Sequence, residues 1–330
     1  MHLSRIPPGM RYYVGAEARL RRKVEDVAMF VFSRWSYEEI TTPAVDYYPL
    51  FEHGMGVKEA QRSFRFTDND GRMLALRPDV TSTVARAAAT LLIDADRPLR
   101  LCYAAPVFKQ QYHSSAEWRR ESTQLGCELI GDGSVSADME VLLLAAAVLK
   151  QIGLANRYCI TINDVEIFNG LAEQFSLNEV EREEIRRLID SRAAPEVNSC
   201  LADLNQRTVF SDLIHLRGKG DVLTRALRLN SNVRSMAGLS RLTDIWQAIE
   251  ANGLSDVFEI DLGDVSNLDY YTGLNFKVFV NGAGSRVGGG GRYDRLIENF
   301  GAAEPAVGFM LSLDGLVDVL SSAESTIGFK

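Results

Sequence analysis

The sequence predicts an α+β protein in which sheet elements are interrupted by a long helical segment. Strand-like patterns occupy the first 165 residues and return from residue 256 onwards. Between them, the chain carries charge runs at helical spacing, such as EVEREEIRRLID, and almost no strand pattern. Because sheet patterns lie on both sides, we interpret residues 1–165 and 256–330 as one core and residues 166–255 as a helical insertion domain.

The first 76 residues predict one helix followed by antiparallel strands. Apolar residues at helical spacing predict an amphipathic helix from about Ala16 to Arg34. The β-prone stretch that follows is interrupted by Pro43. SFRFTDNDGRMLAL then alternates around Asp70-Gly71, a pair that tolerates the positive φ of a tight turn. The early chain is therefore expected to contain antiparallel sheet.

Two strands, a helix and a further strand are predicted next. RPLRLCYAAPVFK and STQLGCELIG predict strands joined by a polar loop. Ser136 is placed to cap a helix that runs to about Gln151, with Gly153 as its stop. After the helical segment, VFEIDL, FKVFV and AVGFML predict strands, with a turn at Asn281-Gly282.

A run of four glycines, Gly288 to Gly291, raises the question of a phosphate-binding loop. A Walker A loop would need Lys-Ser/Thr after the glycines, and Arg292-Tyr293 stands there instead. A dinucleotide fingerprint needs a parallel β-loop-α unit, whereas the preceding FKVFVNGAGSRVG predicts a hairpin. Taken alone, the glycines are typical of a strand end that lies close to another backbone.

Composition excludes several classes of protein. A formal charge of -8 and a pI near 5.2 argue against a broad nucleic-acid-binding face, which needs clustered Lys and Arg. Four widely spaced cysteines without a C-x-x-C pattern and four single histidines predict reduced, mostly buried thiols and neither metal nor cofactor. The N terminus has no apolar h-region, and the longest aliphatic run is too short to cross a bilayer. We therefore expect a cytoplasmic protein without a membrane segment.

Several motifs, in a fixed order, resemble the catalytic core of class II histidyl-tRNA synthetases. They are LRPDVTSTVAR at 76–86, PVFKQQ at 106–111, RRESTQLGCELIG at 119–131, NLDYYTG at 267–273, GGGRYDRL at 289–296 and PAVGFMLSLDGL at 305–316. The resemblance covers nearly the whole chain, and QLGCE, LDYY and GGGRYD are typical of the histidine family. It implies a class II aminoacyl-tRNA synthetase-like, mostly antiparallel sheet flanked by helices. It also implies a homodimer whose interface uses the helix and strand ending near Pro43.

The resemblance implies a pocket for the main-chain groups of an amino acid. Asp79, which stands where the family has a glutamate, Thr81 and Gln124 correspond to the residues that accept hydrogen bonds from an α-ammonium group. The family's arginine for the α-carboxylate is missing at Ser266. Lys109 or a backbone N–H is the expected substitute.

The same resemblance implies an imidazole-binding end of this pocket. Glu128, Tyr271 and Tyr293 correspond to the residues that hold the ring, a carboxylate and two phenols suited to two polar nitrogens. Tyr270 adjoins them. By this reading the four glycines let a strand lie flush with the pocket and place Tyr293, so we expect them to bind no phosphate.

The arginines that stabilise the α-phosphate during amino-acid activation are largely replaced. Motif 2 has Lys109 for the arginine and Gln111 for the glutamate that faces adenine. Ser266 opens the stretch that the family begins with arginine, and the motif 3 arginine falls on Gly315. Because such fixed charges stabilise the transition state, their loss predicts negligible adenylation. The arginines that remain are Arg119, Arg120 and Arg292.

A synthetase-like fold with a histidine pocket but without adenylation groups is similar to the regulatory subunits of ATP phosphoribosyltransferase. The chain also ends soon after motif 3, and we expect no anticodon-binding domain. The resemblance implies a non-catalytic chain in a hetero-octamer with the short-form catalytic subunit of histidine biosynthesis, with L-histidine as feedback inhibitor. Two alternatives stay open. A minimal histidyl-tRNA synthetase is disfavoured by Lys109, Ser266 and Gly315, and an RNA-binding regulatory paralogue is disfavoured by the acidic charge.

Overall fold

The computed structural model describes residues 4–110, 119–200, 208–229, 231–265 and 271–327. The strands of these residues are β1 (Glu38–Glu39), β2 (Val45–Tyr47), β3 (Arg65–Thr67), β4 (Met73–Leu76), β5 (Leu99–Phe108), β6 (Glu121–Ile130), β7 (Tyr158–Asp164), β8 (Arg217–Gly218), β9 (Phe258–Asp261), β10 (Leu274–Val280), β11 (Gly288–Arg292) and β12 (Ala306–Ser312). Their helices are α1 (Gly15–Arg34), α2 (Tyr48–Met55), α3 (Val57–Ala60), α4 (Thr81–Thr90), α5 (Val135–Leu149), α6 (Val165–Gln174), α7 (Glu179–Asp190), α8 (Ala194–Cys200), α9 (Thr208–His215), α10 (Asp221–Ala226), α11 (Val233–Ala251) and α12 (Leu313–Ile327).

A nine-stranded sheet forms the centre of the described chain. Its order is β1-β5-β6-β12-β11-β10-β7-β9-β8, and every neighbouring pair is antiparallel except β1 with β5 and β7 with β9. A small antiparallel sheet, β2-β4-β3, lies apart from it. The predicted α+β fold, a mostly antiparallel sheet flanked by helices, is therefore confirmed.

Successive side chains of β6 point to the two faces of the sheet, one packed in the hydrophobic core and the other facing a cavity. Leu125, Cys127 and Leu129 are fully buried in the main hydrophobic cluster, which also contains residues of α1, α5 and α12. The alternate residues of this strand, Gln124 and Glu128 among them, project to the opposite face because successive side chains of a strand alternate. One strand thus contributes both to the core and to the floor of a cavity.

Two local predictions can be compared directly with the structure. The Asp70-Gly71 hairpin is confirmed, since β3 and β4 pair antiparallel and Gly71 has a φ of 77°. The cap of α5 was assigned wrongly: Ser134 accepts a hydrogen bond from the backbone N–H of Ala137, while Ser136 lies inside the helix. Gly153, at a φ of 92°, ends this helical stretch as predicted.

The four glycines lie inside the sheet as most of β11. This strand pairs with β10 on one side and with β12 on the other. The hairpin predicted from FKVFVNGAGSRVG is confirmed by the antiparallel pairing of β10 with β11. The strand delivers Tyr293 to the cavity, as expected.

The predicted helical segment, residues 166–255, comprises most of α6 and all of α7 to α11, together with the two-residue β8. β8 extends the large sheet at its edge, and α11 packs against α5, α6 and β7. The division of the chain into a core and an insertion domain stays a prediction.

A buried carboxylate connects this segment to the sheet. Asp138 of α5 is fully buried and accepts hydrogen bonds from two arginines. Arg292 at the end of β11 donates to its Oδ1 at 2.6 Å, and Arg241 of α11 donates to its Oδ2 at 2.6 Å. Arg292 therefore forms its ion pair inside the protein and points away from the cavity that Tyr293 lines.

Candidate functional site

A cavity of about 560 Å³ lies on the face of the sheet that carries Gln124 and Glu128. Seven of the eight predicted histidine-binding residues line it, and Tyr270 lies outside the described residues. The seven are Asp79, Thr81, Lys109, Gln124, Glu128, Tyr271 and Tyr293. They come from the start of α4, from β6 and from residues next to β5, β10 and β11, so residues up to 214 positions apart in the sequence meet at one place.

Glu128 is the polar centre of this cavity. It is 1% exposed, and its Oε1 accepts hydrogen bonds from the hydroxyls of Thr81 at 2.8 Å and Tyr103 at 3.1 Å. Tyr293 donates its hydroxyl hydrogen to Oε2 in a short hydrogen bond. Burial raises the pKa of Glu128 to about 7, although the three hydroxyl donors oppose this rise. Near neutral pH the carboxyl group is therefore poised to gain or lose a proton.

Tyr103 was missed by the sequence analysis. It stands on β5 opposite Gly126 of β6, and in an antiparallel pair opposite residues project to the same face. The side chain of Tyr103 is 1% exposed and reaches Glu128 across the pair. The alternation of side chains along the two predicted strands, read together with their pairing, could have placed Tyr103 on the same face as Glu128.

Gly308 makes the position of Glu128 possible. It lies opposite Glu128 on the neighbouring strand β12. A Cβ atom at Gly308 would lie 1.8 Å from Oε2 of Glu128, well inside van der Waals contact. The absent side chain therefore provides the space through which Glu128 reaches Tyr293.

Asp79 and Thr81 are fixed by the start of α4. Asp79 accepts a hydrogen bond from the backbone N–H of Ser82 at 3.1 Å, in the first turn of this helix. Burial raises the pKa of Asp79, and Ser82 and the charge of Lys109 oppose the rise. The carboxyl group thus has a helix-capping role in addition to facing the cavity.

Basic side chains also line the cavity, among them Arg62, Lys109 and Arg286. Burial lowers the pKa of Lys109, while the charges of Asp79 and Glu59 oppose this effect. Arg62 donates to Glu59 at 3.1 Å, and Arg286 is exposed, with no ion pair to any described residue. The sequence analysis missed Arg62, Glu59 and Arg286 because none lies in a recognised motif.

The described lining contains four carboxyl groups and four basic side chains. The carboxyl groups are Glu59, Asp79, Glu128 and Asp190, and the basic side chains are Arg62, Lys109, Lys277 and Arg286. A cavity with both charges in equal number suits a zwitterion better than an anion. Uncharged polar and aromatic groups, including Gln124 and Tyr271, complete the lining.

Arg119, one of the three arginines that the synthetase resemblance leaves in place, is engaged by carboxylates. Asp314 of α12, 2% exposed, accepts hydrogen bonds from Tyr13 and Arg21 at 2.6 Å each. Arg119 lies 3.5 Å from Asp314 and donates to Asp318 at 2.7 Å. Gln111 and Ser266, the other replaced positions apart from Lys109 and Gly315, lie outside the described residues.

The described residues contain neither a cluster of metal-ligating side chains nor a membrane-spanning helix. None of their His, Cys, Asp and Glu side chains form a group of three or more that could hold a metal ion. Their helices are all too short or too polar to span a membrane. The four cysteines are free, as predicted; Cys102 and Cys127 are buried, Cys159 is half-buried and Cys200 is exposed.

Comparison with known proteins identifies the family. The histidyl-tRNA synthetase family model matches residues 9–316. The ATP phosphoribosyltransferase regulatory subunit of Acetivibrio thermocellus is 37% identical over 312 residues, covering 93% of this chain and 74% of the relative. The protein of the same name from Bacillus licheniformis is 34% identical, covering 98% of this chain and 83% of the relative.

A solved structure supports the same assignment. The protein of Bacillus halodurans C described as an ATP phosphoribosyltransferase regulatory subunit/histidyl-tRNA synthetase superimposes with a TM-score of 0.89 at 31% identity. The match covers 97% of this chain and 84% of that chain. The chain belongs to the histidyl-tRNA synthetase family and, within it, to the regulatory subunits of ATP phosphoribosyltransferase.

Proposed function

We propose that this chain binds L-histidine in the 560 Å³ cavity and transmits its presence, as feedback inhibition, to a short-form ATP phosphoribosyltransferase catalytic subunit. The observation that carries the proposal is Glu128, a buried carboxyl group with three hydroxyl donors in a cavity of balanced charge. The regulatory names of the relatives support the choice of partner.

Histidine would place its ring at Glu128 and its main-chain groups near Asp79. An imidazole N–H can donate to the carboxylate of Glu128, and Tyr271 and Tyr293 provide aromatic walls and hydroxyls. The α-ammonium group would donate to Asp79, Thr81 and Gln124. The cavity lies within the range of about 300–1,000 Å³ typical of small-molecule sites, so it accommodates an amino acid together with water.

The α-carboxylate would lie beside Lys109. Arg286 and Arg62 line the same cavity and add positive charge there. This arrangement replaces the single arginine expected at Ser266 by several basic groups. Because Arg62 already pairs with Glu59, Lys109 and Arg286 are the stronger candidates.

We further propose that the chain does not activate amino acids. Lys109 and Gly315 replace two arginines of the synthetase pattern, and Arg119 is engaged by Asp314 and Asp318. Loss of one fixed donor at a transition state costs about 2.7–4 kcal/mol. Several such losses together would leave negligible adenylation.

Regulation requires that the complex of this chain with the catalytic subunit adopts two arrangements and that histidine binds one of them more tightly than the other. A ligand shifts such an equilibrium only by its differential affinity, typically about 1–3 kcal/mol of coupling. We propose a homodimer of this chain within a hetero-octamer as the unit in which that shift occurs.

The test combines the purified chain with a short-form catalytic subunit from the same organism. Formation of phosphoribosyl-ATP is followed with and without histidine, using wild type, Glu128→Gln and the exposed control Glu298→Gln. We expect the wild type and the control to confer activity and histidine sensitivity. Glu128→Gln should confer activity with weakened inhibition. Inhibition that is unchanged in Glu128→Gln would place the effector site elsewhere.

A minimal histidyl-tRNA synthetase is the second candidate, because the matching family model bears that name. Histidine-dependent exchange between ATP and pyrophosphate distinguishes it from the regulatory function. We expect no exchange with the purified chain, and measurable exchange would contradict the regulatory proposal.

A further inference from the structure

Tyr103 of β5 lies behind the wall of the 560 Å³ cavity. Its side chain is 1% exposed, and the described residues that line the cavity do not include it. The ring belongs to a hydrophobic cluster that also contains Val80 and Val84. Its hydroxyl, however, donates to Oε1 of Glu128 at 3.1 Å, and Glu128 does line the cavity. Tyr103 can therefore act on a ligand only through Glu128.

Tyr103 is a fixed donor to Glu128. The residue opposite it on β6 is Gly126, and a Cβ atom there would lie 2.5 Å from Cζ and from the hydroxyl oxygen of Tyr103. The absent side chain thus provides the space for the phenol. Burial raises the pKa of Tyr103 well above its ordinary value, and the charge of Glu128 raises it further. The hydroxyl therefore keeps its proton near neutral pH and donates it in a hydrogen bond.

The two carboxylate oxygens of Glu128 are unequally occupied. Oε1 accepts hydrogen bonds from Thr81 at 2.8 Å and from Tyr103 at 3.1 Å. Of the residues that the structure describes, only Tyr293 donates to Oε2. Each oxygen of an ionised carboxylate offers about two acceptor positions. Oε1 is therefore fully occupied, whereas Oε2 retains one open position.

An imidazole and a guanidinium group place different demands on such a carboxylate. An imidazole ring donates a single N–H to one oxygen, whereas a guanidinium group donates two parallel N–H groups to both oxygens. The open position on Oε2 of Glu128 suits a single donor. A guanidinium fork would also need Oε1, to which Thr81 and Tyr103 already donate. The arrangement therefore favours a ring N–H over a guanidinium fork.

We infer that Tyr103 is a positioning residue that makes the cavity selective for histidine over arginine, because it holds Oε1 of Glu128 and leaves one acceptor position on Oε2. This selectivity rests on the proposed binding of histidine in the cavity. Without the Tyr103 hydroxyl, Thr81 is the one described donor that Oε1 retains. The carboxyl group then turns more easily and presents both oxygens to a guanidinium fork.

The test measures the affinities of L-histidine and L-arginine by isothermal titration calorimetry. A mildly alkaline buffer keeps Glu128 ionised and the imidazole of histidine neutral. The variant is Tyr103→Phe, and the control is Tyr158→Phe, which removes the hydroxyl of another buried tyrosine of the same sheet that does not donate to Glu128. We expect wild type and control to prefer histidine, and the ratio of the two affinities to fall by about tenfold or more in Tyr103→Phe.

A second variant, Thr81→Ala, removes the other donor to Oε1 and should lower the same ratio, so the test holds even if Tyr103→Phe impairs folding. Both amino acids carry the same α-ammonium and α-carboxylate groups. Damage to the cavity as a whole therefore weakens both ligands alike and leaves the ratio unchanged.

The outcomes separate this inference from the proposed function. A wild type that does not bind histidine contradicts both. A wild type that binds histidine, combined with an unchanged ratio in the folded variants, overturns the selectivity role of Tyr103 alone. Equal affinity of the wild type for the two amino acids, or an equal fall of the ratio in Tyr158→Phe, overturns it as well.

Discussion

Tyr293, the residue after β11, donates its hydroxyl hydrogen to Oε2 of Glu128, two strands away on β6. The glycine at position 308 on the strand between them leaves the space for this contact. The hydrogen bond joins the GGGRYD and QLGCE motifs across the floor of the 560 Å³ cavity.

Tyr293→Phe is expected to destabilise the protein by about 1–3 kcal/mol, because it removes a hydrogen-bond donor from a buried carboxyl group. The same variant should weaken histidine binding, since Glu128 loses its orientation. Urea unfolding and calorimetry measure the two effects. Tyr12→Phe, at a side chain that is 77% exposed, is the matched control and should behave like wild type. Equal stability of the two variants would contradict the role of the Tyr293 hydroxyl.

Gly308→Ala is expected to abolish histidine binding. Its methyl group would overlap Oε2 of Glu128, so the carboxyl group or strand β12 must move. Gly284→Ala is the control, because a Cβ there meets no atom within 4 Å. Calorimetry with histidine checks the prediction, and circular dichroism establishes that both variants fold. Normal affinity in folded Gly308→Ala would show that the placement of Glu128 is unimportant for the ligand.

The protonation of Glu128 predicts a pH dependence of stability. Its pKa in the folded protein is about 7, above the ordinary value of 4.5. The group therefore stabilises the fold fully below about pH 4.5, and this contribution is lost as the pH rises through about 7, with a total on the order of 3 kcal/mol.

Glu128→Gln isolates this effect, because it keeps the shape of the side chain and removes the titration. The free energy of unfolding should fall more steeply between pH 4.5 and 7 in the wild type than in the variant. Asp164, whose pKa burial raises to about 6, acts in the same direction but is present in both proteins. Parallel curves for the two proteins would contradict a raised pKa at Glu128.

Asp314→Ala is expected to destabilise the protein by about 3–5 kcal/mol, because it leaves Arg21 partly buried without its carboxylate. Asp318→Ala, at a side chain that is 50% exposed, should cost about 1 kcal/mol or less. Urea unfolding compares the two. Neither variant should gain histidine-dependent ATP–pyrophosphate exchange, since Lys109 and Gly315 remain. A small, equal effect of both substitutions would refute a structural role of Asp314.

Periodicity predicted the elements whose side chains alternate or repeat, such as β5, β6 and α1. The β-prone stretch around Pro43 contains β1 and β2, whereas β8 was not predicted, because two residues are too few to show a period. Periodicity was equally silent on the strand character of Gly288 to Gly291, which have no side chains to alternate. Their place at a strand end followed from the hairpin predicted before them, and their position beside the pocket followed from the resemblance.

The residues that the resemblance assigns to one pocket lie together as far as its motifs extend. Thr81, Glu128 and Tyr293 line one cavity, whereas Tyr103 and Arg286 were missed. Tyr103 lies on a predicted strand but outside the motifs, and Arg286 lies in the loop before β11, where a single charge in the sequence gives no sign of a cavity. That the cavity binds histidine stays a prediction.

Asp138 holds Arg292 of β11 and Arg241 of α11 with its two oxygens, in a place closed to water. Arg292 is 2% exposed, so it would be left as an unpaired charge in the interior without this carboxylate, whereas Arg241 is partly exposed and also donates to the backbone carbonyl of Gly133 at 3.0 Å. Asp138 therefore connects the strand that precedes Tyr293 to α11, a helix of 19 residues, through a single side chain. Because both contacts end on one carboxylate, we expect a substitution at position 138 to loosen the strand and the helix together.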